Sequence, residues 1–329
     1  MSIANSLIRR QILNQRYILN LQKQNKRELL KLLERVSLLV AQQPNAERLA
    51  AIKTDLELVL TGGFTQFNSK MTKDTLAFAI QENDFTTKVV AANSKVLLRA
   101  PDAMVVEMAL KTGVMDIGTK DFNLNLGQAI EQFSEGQSLA IRNIINDGIM
   151  FGQTTKEISA AVQGLAQART AAQVEALTRT SINFATGQVR KNFIQENAHV
   201  FDGEEYVAVL DKRTTTLCGG LDGNIYKIGE GVFPPTHWNC RSIRVPVMRK
   251  EFAKGDQRSK RENFDEFLRG QNDEFQDEYF AQFPDGKEKA KLFRKGGLEI
   301  QQYRDSKGRN YTLDELNALY PLAFDNAGI

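Results

Sequence analysis

Three side chains in the second half of the sequence, Cys218, His237 and Cys240, have the chemistry of a metal site. Thiolate sulfur and imidazole nitrogen suit Zn²⁺, and a structural zinc site normally has four ligands. These residues supply three, and Asp211 or Asp222 could supply the fourth. The other interpretation needs no cofactor: loops cross-linked by hydrogen bonds, or by a disulfide once the chain has left a reducing compartment.

The same residues have a catalytic alternative, in which Cys218 is a nucleophile and His237 its base. No assisting acid stands at a recognisable spacing, and the chain has only two histidines, His199 and His237, too far apart for an HExxH zinc motif. The glycines near Ile228 form neither a phosphate-binding loop nor a dinucleotide fingerprint. We therefore predict that the protein is not an enzyme.

The polar residues around the cluster predict loops of fixed conformation. A buried Asp211 stays ionised only among donors, and Arg213 or Arg179 could offer a planar guanidinium. Short side chains that bond to nearby backbone, and prolines that stiffen the chain before His237, complete the pattern. These loop residues are Thr214, Pro234, Pro235 and Asn239.

The elements that carry these residues are predicted to form a small antiparallel sheet. Residues 205–210 are an aliphatic and aromatic run typical of a buried strand, and 221–226 contain an Asp-Gly turn pair between two strand edges. A further strand is expected from Arg241 to Val247, with Pro246 as its stop signal. The sheet would pack on the preceding helices in an α+β fold.

Helices are predicted on both sides of this sheet. Leu29, Leu33, Val36 and Val40 have helical spacing in a first helix that extends to about Gln42. A break at 43–45 precedes a second helix to about residue 60, closed by 61–63 with its two glycines. Further helices are expected at 74–82 and after Pro101-Asp102. Helical spacing also extends across 126–195, with a break at 148–152 and a new start at Thr154. Within that stretch, one more helix is expected at 171–196. A polar helical tail follows residue 250, with Phe264, Phe267 and Leu268 on one face and a capped final helix at Thr312.

Composition excludes several classes of protein. The 329 residues are 42% hydrophobic and 25% charged, with two cysteines, which rules out collagen-like, disordered and disulfide-rich chains. The apolar runs are short and interrupted by charge, so we expect no membrane segment and no signal peptide. The protein is expected to be made in the cytosol.

Positive charge is concentrated at the start of the chain. Residues 1–35 hold eight lysines and arginines against Glu28 and Glu34, a balance of +6, although the whole chain carries only +3. Two interpretations are open: a solvated helix face, or contact with nucleic acid or an acidic partner through phosphate neutralisation or ion pairing. The eight residues are Arg9, Arg10, Arg16, Lys23, Lys26, Arg27, Lys31 and Arg35.

An ordered set of short motifs resembles a known family. It consists of Arg179-Thr180, then Asp211-x-Arg213-Thr214-x3-Cys218-x2-Leu221-Asp222-Gly223, then Pro234-Pro235-x-His237-x-Asn239-Cys240-Arg241. The set is similar to the signature of the Mu F-like minor head proteins (phage head morphogenesis) of tailed bacteriophages, and the resemblance covers about residues 130–320. Many members have a second cysteine where this chain has Ser242, which removes one possible metal ligand.

The resemblance implies a minor head protein in the capsid interior of the virion. Its expected partners are the portal and other head proteins, and double-stranded DNA by non-specific contact, with roles in head assembly and in DNA packaging or ejection. The alternative is a delivered enzyme or effector, or a zinc-dependent DNA-binding protein, that uses Cys218, His237 and Cys240. We divide the chain into a mainly helical region at 1–125 for attachment, a core domain at 126–250 and a helical tail at 251–329.

Overall fold

The computed structural model describes residues 2–117, 123–165, 169–257, 261–306 and 308–329. The fold is α+β, with helices packed against small antiparallel sheets. No helix within these ranges combines the length and the apolarity needed to cross a bilayer. The elements of the first half are α1 (Ile3–Ala41), α2 (Ala46–Ala51), α3 (Lys53–Ala92), α4 (Ala103–Thr112), β1 (Val114–Asp116), β2 (Asn123–Asn125) and α5 (Leu126–Met150).

The second half contains the main sheet and the C-terminal helices. Its elements are α6 (Thr155–Leu165), α7 (Arg169–Glu196), β3 (Phe201–Val207), α8 (Thr216–Leu221), β4 (Ile225–Tyr226), β5 (Ile243–Met248), α9 (Phe264–Arg269), α10 (Asp273–Phe280), α11 (Gly286–Lys291), α12 (Leu313–Leu319) and α13 (Pro321–Ala327). Short 3-10 turns lie at Ala198–Val200 and Ile300–Tyr303, and a π turn lies at Leu292–Gly296.

The first helix extends for 39 residues, about 58 Å, and forms part of the core along its length. The predicted stripe of Leu29, Leu33, Val36 and Val40 is buried, which confirms that interpretation. The predicted break follows α1, and the Asn45 side chain caps α2 by accepting from the Arg48 amide. Residues 1–125 thus contribute to the same hydrophobic clusters as the helices that follow them.

The prediction that Gly62 and Gly63 end the second helix is wrong. The chain continues through them without a break, so α3 reaches Ala92 and includes the helix predicted at 74–82. The reason is packing between helices: a Cβ at position 63 would lie 2.3 Å from Leu32 Cδ1 on α1, whereas one at position 62 would meet nothing within 4 Å. Gly63 therefore permits close approach of α1 and α3, a role that a single sequence does not distinguish from termination.

The helices around the centre begin where capping residues predict. Asp102 accepts from the Val105 amide at the start of α4, Asn125 and Gln128 form a capping box on α5, and Thr154 accepts from the Glu157 amide before α6. The following α7 is buried on several sides, and Leu177, Phe184 and Val189 share one cluster with Ile18 of α1 and Phe67 of α3. This helix forms the centre of the bundle and supports the sheet.

The sheet has β3 in the middle, with β4 and β5 antiparallel on either side. Residues 221–226 are only partly as predicted: Leu221 ends the short helix α8, and pairing with β3 begins at Ile225. The prediction that Pro246 stops the last strand is also wrong, since it pairs with Glu204 inside β5. Proline has no backbone N–H to donate. Because β5 is an edge strand, an N–H on its outer side would have no neighbouring strand to bond to, so proline is tolerated there.

The C-terminal helices build a core of their own and cover α8. Phe264, Tyr279 and Phe280 belong to that core, and the Phe264 ring lies so close to Gly219 that a Cβ there would meet it at 2.5 Å. The helix capped by Thr312 forms as predicted but is not the last one, because Pro321 starts α13 directly after it. The predicted tail is thus a packed layer against the sheet region.

Candidate functional site

The structure brings Cys218, His237 and Cys240 together between α8 and the loop that precedes β5. The ligand-forming atoms of the three side chains all lie within 4.8 Å of one another. Cys218 Sγ is 3.1 Å from His237 Nε2 and 3.8 Å from Cys240 Sγ, and both cysteines are free thiols. Residues that sequence reasoning proposed as metal ligands or loop ties therefore form one compact cluster.

Hydrogen bonding fixes the tautomer of the neutral His237 ring. Its Nδ1 lies 2.8 Å from the carbonyl oxygen of Trp238. A carbonyl can only accept, so Nδ1 must carry a proton, and Nε2 then presents its lone pair to Cys218 and to the Thr215 hydroxyl at 3.2 Å. The ring nitrogen that faces the sulfurs is thus the one able to accept a proton or bind a metal.

Hydroxyl groups complete the lining of the cluster. Thr236 Oγ1 lies 3.5 Å from Cys218 Sγ and 3.7 Å from Cys240 Sγ, and the Tyr206 hydroxyl lies 3.3 Å from Cys218 Sγ. The buried Ser242 hydroxyl also interacts with Cys218. The sequence analysis noted Ser242 only as a residue that replaces a cysteine. It did not predict the threonine and tyrosine hydroxyls, because single residues of these types carry no signal of their own.

The cluster separates the pKa values of its two thiols. The Cys240 thiol donates to Cys218 and, with the imidazole of His237, lowers the pKa of Cys218 well below its ordinary value although burial opposes this. Burial is the main cause that raises the pKa of Cys240. The pKa of His237 is raised: burial lowers it, but the neighbouring Cys218 sulfur outweighs burial. The arrangement favours one thiolate stabilised by an imidazolium.

The carboxylates predicted as a fourth ligand have other partners. Asp211 receives two hydrogen bonds from Arg241, to Oδ2 at 2.5 Å and to Oδ1 at 2.7 Å. Asp222 accepts from the Ala208 amide at 2.6 Å and pairs with Arg261. Neither belongs to the metal-ligating group found among the described residues, so the expectation that one of them completes it is not supported.

The guanidinium expected to hold Asp211 is also a different one. Arg213 reaches Asp211 Oδ2 only at 3.4 Å and its side chain is 74% exposed. Arg179 bonds instead to Gln15 on α1. The planar pairing with Arg241 lowers the pKa of Asp211, although its partial burial acts in the opposite direction. This pair ties the loop after β3 to the residue that follows Cys240.

The remaining predicted residues shape the loops. Thr180 on α7 accepts from the Asn239 amide at 3.1 Å, and Asn239 itself has a φ of 64°. Thr214 donates to the Val209 carbonyl, and Gly223, with a φ of 81°, donates from its amide to Tyr206. The peptide bond between Pro234 and Pro235 is cis.

Helices α7 and α1 bond to the backbone directly after Cys240, through side chains that the sequence analysis did not predict as site residues. On α7, Asn183 donates to the Ser242 carbonyl at 3.0 Å. On α1, Gln11 donates to the Arg241 carbonyl at 3.1 Å and to the Asn183 side chain at 3.0 Å. Gln11 and Asn183 carry no signal in the sequence, because their bonding partners lie far away along the chain.

The basic residues of α1 form a surface separate from the cluster. Arg10 is turned inward, where it pairs with the buried Glu82 at 2.9 Å and stacks on Phe85. Lys26 is half-buried. The other six are exposed, namely Arg9, Arg16, Lys23, Arg27, Lys31 and Arg35.

Comparison with known proteins supports the resemblance found in the motifs. No match was found among curated proteins or among solved structures. Residues 140–244, from within α5 to within β5, match the family described as Phage Mu protein F like protein, and the cluster lies inside that range. This part of the chain is therefore similar to the Mu F-like proteins.

Proposed function

We propose that this protein is a minor head protein of a tailed bacteriophage, located inside the capsid and attached to the portal during head assembly. The observation that carries the proposal is the Mu F-like match over residues 140–244, which indicates phage head morphogenesis. The cluster of Cys218, His237 and Cys240 then has a structural role: Cys218 is 3% exposed and Cys240 is 0% exposed, which leaves little room for a substrate to approach either sulfur.

The outer face of α1 is the attachment surface in this proposal. With about 3.6 residues per turn, the spacings of seven and four between Arg9, Arg16, Lys23, Arg27 and Lys31 place them on one side of the helix. Among the described residues, only Lys31 of these five forms an ion pair, with Glu28 at 3.5 Å. The other four cations form no ion pair with the described residues, and such a row suits an acidic partner.

Apolar side chains are interspersed with this basic row. Ile12 is 65% exposed, Leu19 is 50% exposed and Leu38 is 54% exposed. A helix face that presents both kinds of residue suits docking to another protein's helices, since burial of the apolar side chains stabilises the contact and the charges orient it. The buried face of α1 is meanwhile fixed by its own core.

Deletion of the first helices would not test this assignment, because α1 is part of the fold. Exposed residues must be changed instead. Arg16, Lys23 and Arg27 changed together to Glu lower the net charge from +3 to −3, and we expect co-purification with the portal protein to be lost. The matched control changes three exposed lysines outside α1 by the same charge and should bind normally; these are Lys53, Lys73 and Lys156. Equal binding by both variants would reject α1 as the attachment surface.

Contact with packaged DNA is a second candidate function, favoured by the same row of cations. Phosphate contacts are independent of base sequence and sensitive to salt. If all six exposed basic residues of α1 neutralise phosphates, the slope of log K against log salt concentration is about −5. A slope near zero, or one unchanged in the Arg16, Lys23 and Arg27 variant, would argue against a role in packaging or ejection through DNA contact.

The assembly role itself is tested in the phage that encodes the chain. An amber codon in the gene, in a non-suppressing host, is expected to give heads that lack the protein and few infectious particles. A normal yield of infectious particles would contradict the proposal.

A further inference from the structure

We propose that Thr236, His237 and Cys240, together with Cys218, form a structural site for one Zn²⁺ ion, with the Thr236 hydroxyl as the fourth ligand. Three of these residues lie within five positions of the loop before β5, and Cys218 comes from α8. The ion would therefore join α8, and the C-terminal layer packed on it, to the sheet.

The distances between the ligand atoms fit a tetrahedral ion. With zinc–sulfur bonds of about 2.3 Å, two thiolates at the tetrahedral angle lie about 3.8 Å apart. Cys218 Sγ and Cys240 Sγ are 3.8 Å apart. A zinc–oxygen bond of about 2.1 Å places a hydroxyl about 3.6 Å from each sulfur, and Thr236 Oγ1 lies at 3.5 Å from one and 3.7 Å from the other.

The His237 ring must move to join them, since its Nε2 is placed only within 4.8 Å of the Cys240 sulfur. Its Nε2 lies 3.1 Å from Cys218 Sγ, a hydrogen-bond distance, whereas shared zinc ligation requires about 3.6 Å. In its neutral form the ring has the correct tautomer, since Nδ1 donates to the Trp238 carbonyl and leaves the lone pair on Nε2. A carbonyl that accepts a hydrogen bond from the far ring nitrogen is the usual support of a metal-bound histidine.

Charge and burial favour a soft dication over other occupants. Two thiolates neutralise Zn²⁺, so the occupied site carries no net charge where Cys218 and Cys240 are buried. Thiolate and imidazole ligands disfavour Mg²⁺ and Ca²⁺, which prefer oxygen. Arg241, the nearest cation in sequence, is paired with Asp211 and does not compete for the sulfurs.

Binding must release two protons per ion. The three titrating groups hold two protons whether they exist as two thiols with a neutral imidazole or as a thiolate, a thiol and an imidazolium. The zinc-bound state holds none on its ligand atoms, and the hydroxyl of Thr236 keeps its own proton. The proton count therefore does not depend on which form is present before binding.

The experiment uses the full-length protein, stripped of metal and titrated with Zn²⁺ alone in weak buffer containing a pH indicator. We expect one equivalent bound and two protons released. Co²⁺ titrated in the same way should give a thiolate-to-cobalt charge-transfer absorption together with the intense visible bands of tetrahedral coordination. Folded protein, as judged by far-UV circular dichroism, that binds neither ion would overturn the proposal without the need for any variant.

Variants then assign the ligands. Cys218→Ser and Cys240→Ser should lose stoichiometric zinc, and Thr236→Val should keep one equivalent but bind it about tenfold more weakly or worse. The control is His199→Gln, which removes the other, exposed histidine and should bind as the wild type does. Unchanged binding by Cys218→Ser would overturn the site, and unchanged affinity in Thr236→Val would overturn the fourth ligand.

Discussion

A buried ion pair at the centre of the bundle gives the most demanding prediction about the fold. Glu82 of α3 is 0% exposed and accepts from Arg190 of α7 and Arg10 of α1, both at 2.9 Å. Asn14 of α1 adds a weaker bond at 3.3 Å. One carboxylate therefore joins the three longest helices, and burial lowers the pKa of Arg190 while Glu82 acts against this.

Glu82→Gln removes the negative charge and keeps the shape of the side chain. Arg190, only 1% exposed, then remains as a buried cation without a counter-charge, and breaking such a pair costs about 3–5 kcal/mol. Arg10, which is 24% exposed, can still reach water, so the lower end of that range applies and we expect a loss of about 3 kcal/mol. Such a loss is a large fraction of the 5–15 kcal/mol typical of a folded domain, since about 2 kcal/mol would remain at the lower end of that range.

The assay is urea unfolding followed by far-UV circular dichroism, with the free energy of unfolding extrapolated to water. Asp84→Asn, on the same helix, breaks an exposed pair with Lys88 and is the control that should change little. The double variant Glu82→Leu with Arg190→Met removes both buried charges and should recover most of the loss. The reasoning is refuted if Glu82→Gln stays within about 1 kcal/mol of the wild type, or if the double variant is no more stable than the single one.

Two further predictions concern helix packing and the loop ion pair. Gly62→Ala should stabilise the protein by about 0.5–1 kcal/mol, because alanine favours a helix interior. Gly63→Ala should be less stable than Gly62→Ala by about 1–2 kcal/mol, because its methyl group crowds Leu32. Equal melting temperatures for the two variants would contradict this. Asp211→Asn should cost about 1–2 kcal/mol at pH 7, since Arg241 lowers the pKa of Asp211 in the folded state. That contribution is present above the ordinary aspartate pKa and is lost as pH falls, so the stabilities of the variant and the wild type should converge in acid, as denaturation from pH 7 to pH 3 would show.

Local patterns in the sequence predicted the elements whose stability is local. The apolar stripe through Leu29 and Val36 and the caps at Asp102 and Thr154 each depend on neighbours within one helical turn, and each is found where expected. The end predicted at Gly63 failed because the glycine serves a contact with Leu32, thirty-one positions earlier. Periodicity contains no information about which helices cross.

The candidate site shows the same difference between residues close in the chain and residues far apart in it. Cys218 and Cys240 lie together as expected, because they are only 22 positions apart in the chain. The partner of Asp211 was missed, since several arginines were available and only the folded loop brings Arg241 into range. Glu82 gave no signal at all, because a glutamate in a polar helical stretch is normally at the surface.

In the proposed function, this chain is a head protein that meets the portal through the outer face of α1. The most direct test of that function is cross-linking of intact procapsids with an amine-reactive reagent, followed by mass spectrometry. Lys23 and Lys31, both exposed on α1, are predicted to cross-link to portal lysines, whereas Lys53 and Lys156 are not. Procapsids that lack the chain, or portal cross-links that come only from Lys53 and Lys156, would contradict the account.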